Sequence, residues 1–299
     1  AALTLPTPGA LRSLGANKDI VIDGGVPQVT NVTSSVSDGN YITGDVIPID
    51  VVFTENVTVT DTPQIQLSTG GYALDLDGSD DYAFIPNHSS LQFGTGDFTV
   101  SVWFKIDAIG ATRQIFCKRG GSGNYEIQVN SAGRLSAWAP SGFSGNTVLT
   151  ANTWYNVTLS RVSGTSYLYL NGILEASRSN GGNQNSSNGI SIGRDSYGGE
   201  RFNGDIDEFA IWSSGLSVAE ALALYNGNAS LNLLSNSSNY TSSANLVMYL
   251  RLNEGTGNTS VDETGNGHNA TLNNGATWAL SQLGGTEVDY SVGSGTDTI

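Results

Sequence analysis

The sequence predicts an all-β protein whose centre is an antiparallel β-sandwich. Three observations carry this prediction. The 299 residues include 38 Gly and 7 Pro with only 13 % charged side chains, a balance that suits short strands joined by many turns. Apolar residues alternate with period two through the centre of the chain, and hairpin turns separate the alternating runs. A chain of this length can bury one large β core or two smaller ones without cross-links.

Taken in chain order, DGGVPQVTNVTSS, DVIPIDVVFTENVTVT and PQIQLSTG (residues 23–70) read as Thr- and Val-rich strands. From residue 72 to about 214 the signal strengthens. In FTVSVWFKID (98–107), Phe98, Val100, Val102, Phe104 and Ile106 fall on one face, and Thr99, Ser101, Lys105 and Asp107 on the other, the pattern of a half-buried strand. YEIQVNSAGRLSAWAP reads as a hairpin turning at Asn130–Gly133, and SYLYLNGILEA as another turning at Asn171–Gly172, a dipeptide suited to the positive φ angles of a type I′ turn. The one convincing helix is Ser217 to about Tyr225, where Ser217 and Glu220 have capping-box spacing and Asn226–Gly227 supplies the stop. LNLLSNSSNYTSSAN follows as a polar loop, NLVMYLRLNE as an apolar strand and EVDYSVGSGT (287–296) as a last strand.

The net charge of −15 and pI near 4.2 argue against nucleic acid or an anionic membrane, since no Lys/Arg cluster is present to neutralise phosphates. Acidic loops favour divalent cations instead. No apolar run approaches the ~20 residues of a membrane helix, so a soluble chain is expected. It begins at Ala1 with no basic-then-apolar leader, as a processed or excised product would. The single cysteine, Cys117 in QIFC, reads as a small buried residue rather than a nucleophile. Trp103, Trp154, Trp212 and Trp278 sit inside strand patterns and read as core or inter-sheet packing. His88 and His268, far apart in polar turns, make no zinc motif without a nearby Cys. The ten Asn-x-Ser/Thr sequons imply a glycan coat in a eukaryotic or archaeal source and nothing in a bacterial one.

Five blocks, YALDLDGSDDYAFIPN, FTVSVWFKI, TWYNVTLSRVSGTSYLYLNG, GRDSYGGERFNGDIDEFAIWSSGLS and LVMYLRLNEGTGNTSVDETGNGHNATLNNGATW, resemble in order and spacing the laminin-G-like members of the concanavalin A-like lectin/glucanase superfamily. The resemblance implies a concanavalin A-like antiparallel β-sandwich, a jelly roll, over residues 71–283. The flanks resemble a tandem Ig-like repeat of bacterial surface adhesins. Residues 1–23 would be a closing strand segment of one repeat or a linker, 24–70 the first half of the next, and 284–299 its returning strand. The sandwich would then be inserted in a loop of a split, incomplete Ig-like domain, which is tolerated where a sandwich's termini lie close together.

The stretch GDIDEFAIW sets Asp205, Asp207 and Glu208 within four residues. A retaining glucanase on this fold would present two glutamates about 5 Å apart; alternation here places Glu208 opposite both aspartates, which argues against hydrolysis. The resemblance implies a structural Ca²⁺ near Asp77, Gly78 and Asp207, and spacing adds Asp205; oxygen-rich turns suit this hard ion. The alternative, that these are hydrogen-bonding turn carboxylates, stays open. Asp80, Asp81, Asp195, Glu200 and Arg201 fall in the loops DGSDD and RDSYGGER, candidates for a rim that binds glycan or peptide. Trp138, Phe143 and Tyr197 are candidates to stack on a sugar.

These readings converge on a non-catalytic module, extracellular or on a cell surface, that adheres or forms fibres. Its expected partners are a surface glycan or protein and, through terminal β-strands such as ALTLP, copies of itself. A calcium-dependent glycan- or peptide-binding tip domain is the alternative, and a glycoside hydrolase the remote one.

Overall fold

The computed structural model describes residues 28–36, 48–55, 57, 65–66, 71–121, 123–281, 283 and 287–288. The chain divides into two compact units, residues 1–63 with 290–299, and residues 64–289. Within the first, β1 (Val29–Thr33) pairs antiparallel with β2 (Asp50–Phe53), with an irregularity between Val29 and Asn31. The segment 1–23, with the ALTLP strand expected to join copies, and residues 289–299 lie outside the described residues.

The second unit opens with β3 (Ile65–Gln66), which pairs antiparallel with β20 (Glu287–Val288). Between them lie two eight-stranded sheets. The first runs in the order β10 (Gly142–Ser144), β9 (Leu135–Trp138), β8 (Gly123–Val129), β7 (Arg113–Gly120), β14 (Ile190–Ile192), β5 (Tyr82–Ile85), β18 (Ala270–Asn273) and β17 (Thr259–Ser260). The second runs β13 (Ile173–Ser179), β12 (Thr165–Leu170), β11 (Trp154–Val162), β6 (Phe98–Ile106), β15 (Asn203–Trp212), β4 (Tyr72–Asp77) and β19 (Thr277–Leu280), with β16 (Leu246–Leu250) also paired to β15. This is the expected antiparallel concanavalin A-like sandwich.

Both hairpins form where their turn residues dictate. Asn171 and Gly172 adopt φ of 51° and 75°, the pair of positive angles that a two-residue I′ connection requires. Gly133 takes φ 72° and donates its N–H to the Asn130 carbonyl. The inward residues of the two sheets interlock in one core, to which β6 supplies Phe98, Val100, Val102, Phe104 and Ile106, all fully buried. Removal of such side chains from water is worth about 1.5–3 kcal/mol each.

The structure corrects the half-buried reading of β6. Thr99, Ser101 and Trp103 on its outward face are also buried, because a third layer covers the second sheet. That layer comprises α1 (Val218–Tyr225) and the segment after it. Leu216, Leu224, Leu233 and Tyr240 pack there on Trp212 and Tyr249, while Trp103 and Trp154 join Ala73 and Leu283 in a smaller cluster. These three tryptophans are therefore core residues, but outside the sheets rather than between them; Trp278 lies half-buried against the main core. The helix carries its capping box as expected: Ser217 Oγ accepts from the Glu220 N–H, and Glu220 Oε2 accepts from the Ser217 N–H. Asn226 closes it at φ 44°. Glu220 Oε1 also accepts from the Thr241 and Ser242 hydroxyls, pinning the polar loop to the helix start.

Candidate functional site

The expected carboxylates separate into different environments. β15 carries a bulge between Asp207 and Ala210, with Glu208 at φ 53°. Ile206 and Phe209 both enter the core, so the two residues between them share the outward face. This corrects the reading that Glu208 points away from Asp207. The alternation rule fails here because a bulge inserts one residue into the period-two pattern. All three carboxylates are nonetheless covered: Asp205, Asp207 and Glu208 are 5 %, 4 % and 7 % exposed. Glu208 lines a small pocket of about 10 Å³ with Ser101, Trp103, Asn156 and three leucines, room for about one water.

Each of these groups has its own partner. Asp205 pairs with Lys105, its register neighbour on β6. Burial raises its carboxyl above the usual range and Lys105 opposes this. Asp207 accepts from Ser281 Oγ at 2.9 Å; burial and the adjacent Glu208 push it well up. Glu208 accepts from the Tyr249 hydroxyl and is lifted by burial to about 7, against the opposing effects of Tyr249 and Arg251.

Asp77 belongs elsewhere. One carboxylate oxygen from each of Asp77, Asp80 and Asp81 lies within 4.8 Å of the others, at the turn joining β4 to β5. Asp77 N–H donates to Asp81 Oδ2 and Ser79 N–H to Asp77 Oδ1, so Asx-type bonds fold the turn, with Gly78 at φ 75°. Asp81 is buried, and burial together with the charges of Asp77 and Asp80 raises its carboxyl, opposed by the bond from the Asp77 backbone. The set expected for a metal, Asp77, Gly78, Asp205 and Asp207, is thus divided: Asp77 and Gly78 sit with Asp80 and Asp81, whereas Asp205 and Asp207 are held by Lys105 and Ser281.

The outward face of the first sheet gathers the other candidates. One register row crosses it through Gly142, Trp138, Glu126, Cys117, Ser191, Phe84 and Thr271. Gly142 lies flat against the Trp138 indole; a Cβ there would meet Nε1 at 2.6 Å. Cys117 is buried as expected, yet it sits in this row rather than in the main core. Its thiol donates to Glu126 Oε2 at 2.8 Å, and burial with the Glu126 charge pushes it up to about 12, which leaves it unreactive.

The loop after β14 lies across this row. Asp195 Oδ1 accepts from the N–H groups of Tyr197 and Gly199, at 2.9 and 2.6 Å, and so fixes the turn that presents Tyr197. Ser196 Oγ accepts from the Arg119 N–H. The Arg119 guanidinium reaches Glu126 at 3.5 Å and Asp195 at 3.6 Å, and stands 5.1 Å from the centre of the Tyr197 ring. Burial opposes its charge, but Glu126 and Asp195 more than offset this and raise its pKa. Glu200 is raised by burial and by Asp195. Tyr197 itself is 72 % exposed. Arg194, in the same loop, stacks 3.2 Å over Tyr82, next in sequence to Asp81, so the two candidate loops meet through this pair.

The structure therefore brings Asp195, Tyr197 and Trp138 to one face. Asp80 and Asp81 stay with Asp77, and Phe143 packs half-buried against the main core. Arg201 does not join the row through its side chain: its carbonyl accepts from Arg113 and its own NH1 is buried without a partner. Sequence reasoning missed Arg119, Glu126 and Gln128. Glu126 and Gln128 alternate with buried Tyr125, Ile127 and Val129, a signal visible in YEIQV; the pairing of strands that sets them beside Trp138 was not.

A family model described as the concanavalin A-like lectin/glucanases superfamily matches residues 77–221. No curated protein matches the chain. Among solved structures, a candidate carbohydrate binding protein from Bacteroides ovatus ATCC 8483 is 20 % identical, covering 86 % of this chain and 71 % of that one with a TM-score of 0.57. At that identity the likeness is one of fold. A native heptameric SAP-like pentraxin from Limulus polyphemus is 19 % identical over 53 % of this chain and 83 % of its own, TM-score 0.41. Domain 4 of AbnA, an extracellular arabinanase from Geobacillus stearothermophilus bound to arabinotriose, is 18 % identical over 56 % and 82 %, TM-score 0.43.

Proposed function

We propose that this chain is a non-catalytic carbohydrate-binding module whose glycan lies on the outward face of the first sheet, between Trp138 and Tyr197. The observation that carries this is Tyr197. A large aromatic ring left 72 % exposed is nevertheless held in one place by Asp195 beneath its backbone and Arg119 beside its ring. A fixed, solvent-facing ring suits the apolar face of a sugar, and ordering it beforehand lowers the entropic cost of binding. Arg119, partly exposed beside the ring, supplies donors for hydroxyl groups alongside, while buried Glu126 and Asp195 hold its guanidinium in place. Covered carboxylates on β15 favour binding over hydrolysis, since general acid–base chemistry needs groups within reach of the substrate. The description of the Bacteroides relative agrees with this reading, although that likeness rests on fold.

Calcium fits one part of this reading. Asp77, Asp80 and Asp81 form an all-oxygen donor set of the kind that hard divalent ions take, and a bound Ca²⁺ there would offset the burial and the mutual repulsion that raise Asp81. In an extracellular surface protein the module would serve adhesion to glycan, with strand-mediated self-assembly a further role for the terminal segments. A glycan array tests the main claim. Tyr197→Ala and Arg119→Ala should each weaken the strongest hit by tenfold or more while leaving the circular dichroism spectrum unchanged. Equal binding by wild type and both folded variants would remove the site.

A further inference from the structure

The chain's two histidines, which sequence spacing separates by 180 residues, meet in the folded unit. The His88 and His268 rings lie 4.8 Å apart between centroids, tilted by 58°. His88 Nδ1 and His268 Nε2 both converge on the Ser90 hydroxyl, each at 2.9 Å. They border an open groove of about 270 Å³ that is also lined by Ser213, Asn245 and Asn266. His88 is solvent-exposed and stands at the start of the short 3₁₀ turn Ser89–Leu91, whereas His268 is buried. Its backbone is fixed by Asp262, which accepts from the His268 N–H.

Two imidazoles that chelate one zinc-like ion have nitrogens about 2.0–2.1 Å from the metal, which places their ring centroids about 4.5–5.3 Å apart for ligand angles near 90–110°. The observed separation falls inside that interval. The converging nitrogens share one point of approach, filled now by a serine hydroxyl that one rotamer change would swing aside; His88 Nδ1 also accepts from the Ser90 N–H at 3.3 Å, a long bond that an ion at this lone pair would replace. Neutral imidazole is a borderline ligand that favours zinc, copper and nickel over calcium and magnesium. Competing soft donors are out of play: the single cysteine and single methionine, Cys117 and Met248, are wholly buried.

We propose that His88 Nδ1 and His268 Nε2 form a two-imidazole site for one divalent transition ion, with water and the groove's amide oxygens completing its coordination. The ion would tie the Ser89–Leu91 turn to the turn before β18. This site is separate from the acidic turn at Asp77 and independent of any glycan.

The test is calorimetric titration of tag-free protein with Zn²⁺ and Cu²⁺ at pH 7.5, beside electron paramagnetic resonance of the copper form. One ion should bind per chain, with nitrogen couplings from two imidazoles and no competition from excess Ca²⁺. Binding should weaken at least tenfold in His88→Gln and in His268→Gln. Ser90→Ala keeps both ligands and frees the convergence point, so it should bind as tightly as wild type or more so. Absence of binding to wild type, a copper spectrum without two imidazole nitrogens, wild-type affinity in His88→Gln, or loss of binding in Ser90→Ala would each overturn the proposal. Should His268→Gln fail to fold, the copper spectrum of wild type and the exposed His88 variant still decide it.

Discussion

Replacing Glu208 with Gln should stabilise the protein at pH 8 and leave it almost unchanged at pH 5. Glu208 is buried on the β15 bulge, where removal from water lifts its pKa from 4.5 to about 7 in spite of Tyr249 and Arg251. A folded-state value above the unfolded one means that the native protein holds the proton more tightly. Stability from this group is therefore complete below about pH 4.5, falls as pH rises toward 7, and is flat beyond. At about 1.4 kcal/mol for each pH unit, the interval from 4.5 to about 7 amounts to about 3 kcal/mol, an upper figure because the Gln amide adds a donor that Tyr249 and Arg251 do not need. A gain of about 1–3 kcal/mol at pH 8 is expected. The assay is urea denaturation of both proteins at pH 5, 6, 7 and 8. Burial shifts Asp207 in the same sense and His268 in the opposite one, so the difference between the two proteins is the quantity to read. A difference independent of pH, or a variant less stable than wild type at pH 8, would refute the reasoning.

Three further outcomes are expected. Gly204 sits at φ 132°, where a Cβ would lie 2.1 Å from the Lys105 carbonyl oxygen; Gly204→Ala should cost more than ~3 kcal/mol through strain and clash between β15 and β6, read as a collapse of the urea midpoint. Ser217→Ala removes the hydroxyl of the capping box and should cost about 1 kcal/mol, or about 2–4 °C in melting temperature for a domain of this size; an unchanged melting temperature would show that the cap carries no stability. Asp81→Asn should raise stability in the presence of chelator, since it removes one of three facing carboxylates, and should abolish any rise in melting temperature produced by Ca²⁺. A calcium response that survives this variant would place the ion elsewhere.

Much of the architecture was legible because it is encoded locally. Asn171–Gly172 can turn a hairpin without reference to the rest of the chain, the Ser217–Glu220 pair caps its helix within one turn, and the alternation in β6 names the five side chains that fill the core. The candidate face was half legible. Tyr197 and Trp138 were visible as aromatics in loop and hairpin, but Arg119 and Glu126 gain meaning only from the register that aligns β7, β8 and β9.

By itself, the sequence determined the all-β class, the hairpins, the helix and the inward faces, since each depends on residues within a few positions of one another. Tertiary structure decided which distant groups meet. It buried Thr99, Ser101 and Trp103 beneath a third layer, turned Glu208 to the side of Asp207 through a bulge, parted Asp77 from Asp205, and brought His88 to His268. Side-chain period fixes direction only while the backbone stays regular, and it says nothing about which strand will lie alongside; those two facts come from long-range packing.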